Sequence, residues 1–188
     1  NSNELPPAPD GTFSIVVIPD TQRYLGREPD DSEPLTNPVF DAWTNWIVEK
    51  LEDQNIAFVS HVGDIVDNNV ADQWELAGQL MDRLHGKVPY GISVGNHDMN
   101  AQGDSRLFQK IFPKSRFENF PWYVGCFENP DSESFISGNN ANSAQIFEVA
   151  GLRFVYLHLE CNAPDNVLAW ADSVLEEHAD RRAIVTTH

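Results

Sequence analysis

The sequence is short of basic residues and contains no long apolar run. It has 12 lysines and arginines against 29 aspartates and glutamates, which gives a formal net charge of −17. A surface of this charge repels long polyanions, so a nucleic acid polymer is not expected as a partner. Because no apolar run approaches the roughly 20 residues that cross a bilayer, no membrane span is expected either.

Cysteine is also scarce, with Cys126 and Cys161 as the two examples. The sequence leaves open whether they form a disulfide, as an exported protein permits, or remain buried free thiols. No signal peptide is visible. The polar, proline-rich lead-in of residues 1–11 fits either the remnant of an export signal or an arbitrary start of the sequence, and a periplasmic or extracellular location is slightly favoured over the cytoplasm.

The remaining residues, 12–188, predict one α/β domain that is large enough to bury a core. Apolar runs of strand type at residues 12–18, 56–62 and 90–94 alternate with amphipathic helices that begin at Pro38 and near Val70. This β-α-β-α-β order is typical of a mostly parallel sheet covered by helices. Asn37 before Pro38 is a helix start signal.

In the second half of the domain, the sequence pattern predicts more strands than helices. After a short helix at 106–112, strand patterns follow at 122–127, 134–136, 144–149 and 152–159, and we expect these to be antiparallel. Ala150 and Gly151 fit a tight hairpin turn. A helix at 165–178 then leads to a strand at 183–187, and the chain ends one residue later at His188, which predicts a truncated domain with more sheet beyond it.

Polar segments follow four of these strands, and they carry carboxylates, amides and imidazoles. Asp20 and Gln22 follow the first strand, Asp64 follows the second, Asn96 follows the third, and His188 follows the last. In open α/β sheets ligands bind beyond the carboxyl ends of the strands. These side chains are suitable ligands for one or two divalent metal ions.

Two of the segments are more specific than the others. In the segment GDIVDN, residues 63–68, Asp64 projects from a strand tip where one carboxylate can bridge two cations. The alternative is that Asp67 or Asn69 caps the following helix. In the segment GNHD, residues 95–98, Asn96 offers a carbonyl oxygen to a metal, His97 is free to act as an acid, and Asp98 is expected to hydrogen-bond and orient the imidazole.

Together the segments resemble the calcineurin-like metallophosphoesterase superfamily. Its motifs run Asp-x-His, Gly-Asp-x-x-Asp, Gly-Asn-His-Asp/Glu, a lone histidine and Gly-His-x-His. Residues 63–68 and 95–98 match the second and third motifs fully, and His188 stands where the lone histidine belongs. Gln22 replaces the histidine of the first motif, and the last motif would lie after His188.

The resemblance implies a four-layer α-β-β-α sandwich, incomplete at its C-terminal side, with two divalent metal ions (Mn, Fe, Zn or Mg). Asp20, Gln22, Asp64, Asn96 and His188 would be the metal ligands, with Asp64 bridging, and His97 and Asp98 would be catalytic. The implied reaction is hydrolysis of a small phosphate monoester or diester by a metal-bound hydroxide.

Two alternatives remain open at this stage. In the first, Gln22 marks a weakened site, and the fold is a ligand-binding module that does not turn substrate over. In the second, which has only composition behind it, the acidic loop at Asp30 and Asp31 binds calcium in an extracellular domain. The sequence does not indicate the oligomeric state.

Overall fold

The computed structural model describes residues 5–26, 34–131 and 133–188. They form two β-sheets with helices against the outer faces. The helices are α1 (Pro38–Glu49), α2 (Ala71–Met81), α3 (Arg106–Ile111) and α4 (Asp165–Glu177). The strands are β1 (Ser14–Ile18), β2 (Ile56–His61), β3 (Tyr90–Ile92), β4 (Tyr123–Cys126), β5 (Ser143–Val149), β6 (Leu152–Leu159) and β7 (Arg182–Thr187).

The first sheet is parallel and has the order β1-β2-β3. Crossovers through α1 and α2 join its strands, as the alternating pattern of the sequence predicts. Ile18 pairs with His61, and His61 pairs in turn with Ile92. The carboxyl ends of all three strands therefore lie at the same edge, where their following loops meet.

The second sheet has the order β4-β5-β6-β7. The pairs β4–β5 and β5–β6 are antiparallel, whereas β6 and β7 run parallel. Ala150 and Gly151 both have positive φ, 50° and 73°, which confirms the predicted tight turn between β5 and β6. The parallel pairing of β7 brings His188 to the end of the sheet at which β6 also ends.

Alternate residues of the central strands face different layers, and this produces the sandwich. Phe154 and Tyr156 of β6 meet Phe58 of β2 between the two sheets. Their neighbours Val155 and Leu157 face α4 in a separate cluster. On the far side of the first sheet, α1 and α2 bury their apolar faces against β1, β2 and β3. The described residues thus form the predicted four-layer α-β-β-α arrangement.

Helix α1 begins with an Asn37 cap, as the sequence predicts. The same residue also positions the loop that follows β1. The Asn37 side chain accepts a hydrogen bond from the Phe40 backbone N–H at 3.0 Å, as an N-cap does. The same amide donates to the Thr21 carbonyl at 2.9 Å. One buried side chain therefore ties the helix start to the loop that follows β1.

Two sequence predictions about local structure are wrong. Residues 134–136 do not form a strand, because Ile136 makes only an isolated bridge to Asp104. Neither Asp67 nor Asn69 caps α2: the N-cap is Val70, with no side-chain cap hydrogen bond. Asn69 instead accepts from the Trp74 indole at 2.8 Å.

The predicted calcium loop at Asp30 and Asp31 lies outside the described residues. Within the described ranges, no helix is both long and apolar enough to pass through a membrane.

Candidate metal and phosphoester site

Three of the predicted ligands meet where the two sheets present their strand ends. Asp20 follows β1, Asp64 follows β2, and His188 follows β7 of the other sheet. Each offers a ligand atom, and these atoms all lie within 4.8 Å of one another. The cluster therefore contains residues from both sheets. His188 reaches it because β7 runs parallel to β6.

Asp64 stands at the centre of this cluster. It is buried, and its φ of 50° places it in the left-handed region, which aspartate tolerates better than most residues. Its carbonyl accepts from the backbone N–H groups of Thr21 and Gln22, both at 3.1 Å. Its Oδ1 accepts from the His97 N–H at 2.9 Å. The loops after β1, β2 and β3 are joined through this one residue.

Gly95 is required for this close approach of loops. A Cβ atom at position 95 would lie 2.2 Å from both the backbone nitrogen and Oδ1 of Asp64. Gly63, on the other side, has a φ of +99° and would bring a Cβ within 2.9 Å of the Gly95 nitrogen. The glycines of the two segments identified from the sequence thus allow the two turns to touch.

The His188 ring is oriented with one nitrogen towards Asp64. Its Nδ1 lies 3.0 Å from the Val62 carbonyl, so Nδ1 carries the donated proton. In the neutral ring, Nε2 presents a lone pair 3.2 Å from Asp64 Oδ2. Two acceptors that face each other at this distance suit a cation between them, and a ring held by a backbone carbonyl is the usual support of a metal-ligating histidine.

Gln22 contacts the same carboxylate, and its role as a metal ligand stays a prediction. The side chain is buried, and its Nε2 donates to Asp64 Oδ2 at 2.9 Å. Its Oε1 has no hydrogen-bond partner among the described residues. A buried carbonyl oxygen without a partner is costly, about 1–3 kcal/mol. A rotation of the amide would turn this oxygen towards a cation beside Asp64.

Asn96 lies at the rim of the site and not within the cluster. The backbone N–H of the next residue, His97, is bonded to Asp64. The side chain of Asn96 itself is exposed and lines an adjoining cavity. Within the described part of the chain, no hydrogen bond joins the Asn96 amide to Asp20, Asp64 or His188. Its role as a metal ligand stays a prediction.

His97 is positioned by a backbone group of the second motif. Its Nδ1 lies 2.7 Å from the Asp67 carbonyl, which can only accept, so the proton of the neutral ring resides on Nδ1. Nε2 is the nitrogen left to exchange a proton with a substrate. The backbone N–H of His97 donates to Asp64 Oδ1, which fixes the residue next to that carboxylate, and its side chain is half-buried.

Asp98 does not orient the imidazole of His97, and that prediction is wrong. The carboxylate is fully buried and accepts from three backbone N–H groups, those of Ile65, Val66 and Gly95. It therefore holds the second and third segments together. Burial is the main cause that raises the pKa of Asp98 to about 7, and the nearby Asp64 raises it further while the three N–H groups lower it.

A buried histidine supports the loop after β1 from below. Thr21 Oγ1 donates to the Ile65 carbonyl at 2.9 Å and lies 3.2 Å from His61 Nε2. The Gly63 N–H donates to His61 Nδ1 at 3.2 Å. These contacts suit the neutral ring, and burial together with the neighbouring His188 lowers the pKa of His61 to about 3.

A cavity that the sequence did not predict lies beside Asn96, at the rim of the site. It has a volume of about 520 Å³, and Glu160 and Cys161 line it. Both residues directly follow β6, so the strand-end signal used for the other motifs could have found them. Burial raises the pKa of Glu160, and hydrogen bonds from Ser137 and Asn142 oppose that shift.

The fold and the cluster together define a class of protein. The family model for calcineurin-like phosphoesterases matches residues 13–188. The chain therefore belongs to the calcineurin-like phosphoesterase family.

One relative in sequence matches almost the whole chain. The "Uncharacterized protein YvnB" of Bacillus subtilis (strain 168) is 33% identical over 190 residues, covering 99% of the chain. The chain spans only 13% of that relative's length.

Solved structures share the fold at low identity. A purple acid phosphatase from yellow lupin (Lupinus luteus) seeds superimposes with a TM-score of 0.52 at 18% identity, over 97% of this chain and 32% of that one. The NAD nucleotidase of Haemophilus influenzae gives 0.54 at 17% identity, over 94% and 34%. A 5'-nucleotidase precursor from Thermus thermophilus gives 0.51 at 15% identity, over 94% and 37%.

Proposed function

We propose that this domain hydrolyses a phosphate monoester or diester with the help of two divalent metal ions. The observation that carries the proposal is the cluster of Asp20, Asp64 and His188, whose ligand atoms lie within 4.8 Å of one another. The lone pair of His188 Nε2 and the free carbonyl oxygen of Gln22 both fit a cation beside Asp64. A hard carboxylate set with one imidazole suits Mn, Fe, Zn or Mg.

The metal ions, when bound, would supply Lewis-acid stabilisation of the phosphoryl oxygens and lower the pKa of a water molecule from about 15.7 towards 7. The chain's residues have separate tasks around that chemistry. Asp64 lies between Gln22 and His188 and would be the residue that helps to hold both ions. Asp98 and Gly95 keep the second and third segments at contact distance, so that Asp64 and His97 hold a fixed relation.

His97 is the candidate acid for the leaving alcohol. Its Nδ1 proton is engaged by the Asp67 carbonyl, so transfer to a substrate oxygen must occur at Nε2 of the protonated ring. A positioned general acid of this kind contributes roughly 10²–10⁴-fold to a rate. No covalent intermediate is required, because an activated water can attack the phosphorus directly.

The test is hydrolysis of p-nitrophenyl phosphate and bis-p-nitrophenyl phosphate by protein stripped with a chelator and reloaded with a single metal. We expect activity that depends on added Mn, Fe, Zn or Mg, with about two ions bound per chain. The relative rates on the two substrates assign the monoester or diester class. Metal binding with no turnover of either substrate would instead favour the ligand-binding module.

A further inference from the structure

A side chain from α2 holds the turn that precedes this helix. Gln73, the third residue of α2, is buried. Its Oε1 accepts from the backbone N–H of Asp67 at 3.0 Å and from that of Asn68 at 2.8 Å. Both partners can only donate, so the atom that faces them is the amide oxygen. One side chain therefore fixes two consecutive peptide groups at the end of the GDIVDN segment.

This contact differs from the usual cap at the start of a helix. A glutamine at the third helical position commonly accepts from the N–H of the N-cap residue. The N-cap of α2 is Val70, whose N–H donates instead to the Asn68 carbonyl at 2.8 Å. Within the described residues, the Nε2 of Gln73 makes no hydrogen bond. Acceptance from the two N–H groups of the preceding turn is therefore the contact that this side chain supplies.

One peptide group binds both Gln73 and His97. The peptide between Asp67 and Asn68 donates its N–H to Gln73 Oε1. Its carbonyl lies 2.7 Å from His97 Nδ1. Because a peptide group is planar, a partner that fixes the N–H also fixes the direction of the carbonyl. The two bonds also polarise each other, which makes the carbonyl a stronger acceptor.

The direction of that carbonyl determines which nitrogen of His97 is available. With the carbonyl against Nδ1, the neutral ring carries its proton on Nδ1, and Nε2 is left to exchange a proton. If the peptide turned, the ring could carry its proton on either nitrogen. The backbone of His97 would stay in place, because its N–H is separately bonded to Asp64 at 2.9 Å. Loss of the Gln73 acceptor should therefore disturb the imidazole more than the metal cluster.

We infer that Gln73 is a positioning residue for the candidate acid. It holds the peptide between residues 67 and 68 so that His97 keeps its proton on Nδ1 and offers Nε2 for proton transfer. This inference deepens the proposed function and rests on it for the role of His97 as the acid. The contacts from Gln73 through the peptide to the imidazole involve neither metal nor substrate.

The tautomer of His97 tests the inference without turnover. Nitrogen NMR chemical shifts distinguish the protonated from the unprotonated ring nitrogen in metal-free protein at about pH 9, above the ordinary pKa of histidine. We expect the wild-type ring to carry its proton on Nδ1. Gln73→Leu removes the acceptor, so the proton should become shared between Nδ1 and Nε2. An unchanged tautomer in this variant would overturn the inference.

Three further variants show that the acceptor oxygen is responsible. Gln73→Glu keeps an oxygen for both N–H groups, and two consecutive N–H groups favour an anion, so it should keep the wild-type tautomer. Gln73→Asn is shorter by one methylene group and should behave like the leucine variant, which keeps the test valid if the leucine variant does not fold. The matched control is Gln79→Leu, an exposed residue of α2, which should keep the wild-type tautomer.

Kinetics with two leaving groups connect the tautomer to the reaction. Phenyl phosphate has a basic leaving group that needs a proton, whereas p-nitrophenyl phosphate needs one much less. For manganese-loaded Gln73→Leu we expect kcat on phenyl phosphate to fall about 10- to 100-fold with KM within about twofold of wild type. The loss on p-nitrophenyl phosphate should be smaller. Equal losses on the two esters would contradict a role through the acid.

The two kinds of measurement separate this inference from the proposed function. A tautomer that changes with Gln73 in a protein that hydrolyses neither ester would support the positioning of His97 and reject the proposed function. Hydrolysis of both esters, with the wild-type tautomer retained in the leucine and asparagine variants, would reject the role of Gln73 and leave the proposed function intact.

Discussion

Asp64 connects the loops of the site through its backbone as well as through its side chain. Asp64 is bonded through its carbonyl to the loop after β1 and through Oδ1 to the turn after β3. Its Oδ2 lies beside both Gln22 and His188. A change at Asp64 therefore affects metal ligation and loop position together, whereas a change at His97 affects only a side chain at the rim.

The first prediction concerns Asp64 as the bridging ligand. Asp64→Ala removes the carboxylate shared by Gln22 and His188, so we expect loss of bound metal and loss of hydrolysis. Elemental analysis alongside kinetics measures both. Asp172→Ala, an exposed acid on α4, is the control and should keep the wild-type metal content. Unchanged metal in the Asp64 variant would refute the bridging role.

The second prediction concerns His97 as the acid. His97→Ala should keep its metal and lose roughly 10²–10⁴-fold in kcat, because the proton donor is removed while the ligands remain. His97→Gln can still donate to the Asp67 carbonyl but cannot transfer a proton, so it should be equally slow. If the glutamine variant were close to wild type in kcat, His97 would be a positioning residue only.

The third prediction concerns Gln22 at the place of the family's histidine. A neutral amide oxygen is a weaker ligand than imidazole, and oxygen ligands favour manganese or magnesium. We expect the metal position at Asp20 and Gln22 to bind more weakly than the position at Asn96 and His188, and Gln22→His to tighten it. Metal titration of the two proteins measures this difference. Identical curves would show that Gln22 is not a ligand.

At the scale of elements, the site depends on turns that leave no room for a side chain. The fourth prediction is that Gly95→Ala destabilises the fold by about 1–3 kcal/mol and impairs metal binding, because the new Cβ meets the Asp64 backbone.

Gly86 provides a control for the Gly95 prediction, since it has a φ of +74° and open space around its Cβ position. Gly86→Ala should lose only about 1–2 kcal/mol from backbone strain and keep its metal. Chemical unfolding and metal analysis of both variants measure the two effects. Full metal content in Gly95→Ala would contradict the proposed role of the turn.

The strands and helices were largely predictable because their hydrophobic periodicity is strong, as in α1 with its Asn37 cap. The strand ends also predicted where Asp20, Asp64 and His188 would meet. The role of Asp98 was not predictable, because a carboxylate next to a histidine in sequence can turn instead to backbone N–H groups from a distant loop. The position of Glu160 after β6 was open to the same strand-end argument, but the cavity itself was not predictable, since it depends on how the 134–137 segment packs near the end of β6.

At the scale of the whole molecule, a neutral histidine joins the two sheets. His158 of β6 lies 2.8 Å through Nδ1 from Gln145 Oε1, so Nδ1 donates. Its Nε2 lies 2.9 Å from the Ser60 hydroxyl of β2 and accepts. Gly91 of β3 permits this position, because a Cβ there would lie 2.2 Å from the ring. Burial, and secondarily His61, lowers the pKa of His158 to about 3.

The fifth prediction follows from this lowered pKa. The neutral ring contributes its full stability above the unfolded pKa of about 6.5, and the contribution is lost as the pH falls from there towards 3. Over that range the protein takes up one proton at this residue when it unfolds. The free energy of unfolding therefore decreases by about 1.4 kcal/mol for each unit by which the pH falls. The raised pKa of Asp98 acts in the opposite direction between about 7 and 4, so the histidine is isolated by comparison with a variant.

His158→Phe keeps a ring beside Phe58 and Tyr156, both of which stack on His158, but it cannot take up a proton. Urea unfolding of the metal-free protein at pH 5 and pH 6 should show a slope in the variant about 1.4 kcal/mol per pH unit shallower than in wild type. Gln145→Leu removes the hydrogen-bond partner and keeps the histidine, so it should be less stable at both pH values with the wild-type slope. Equal slopes in wild type and His158→Phe would mean that His158 does not contribute to the acid sensitivity of the contact between the sheets.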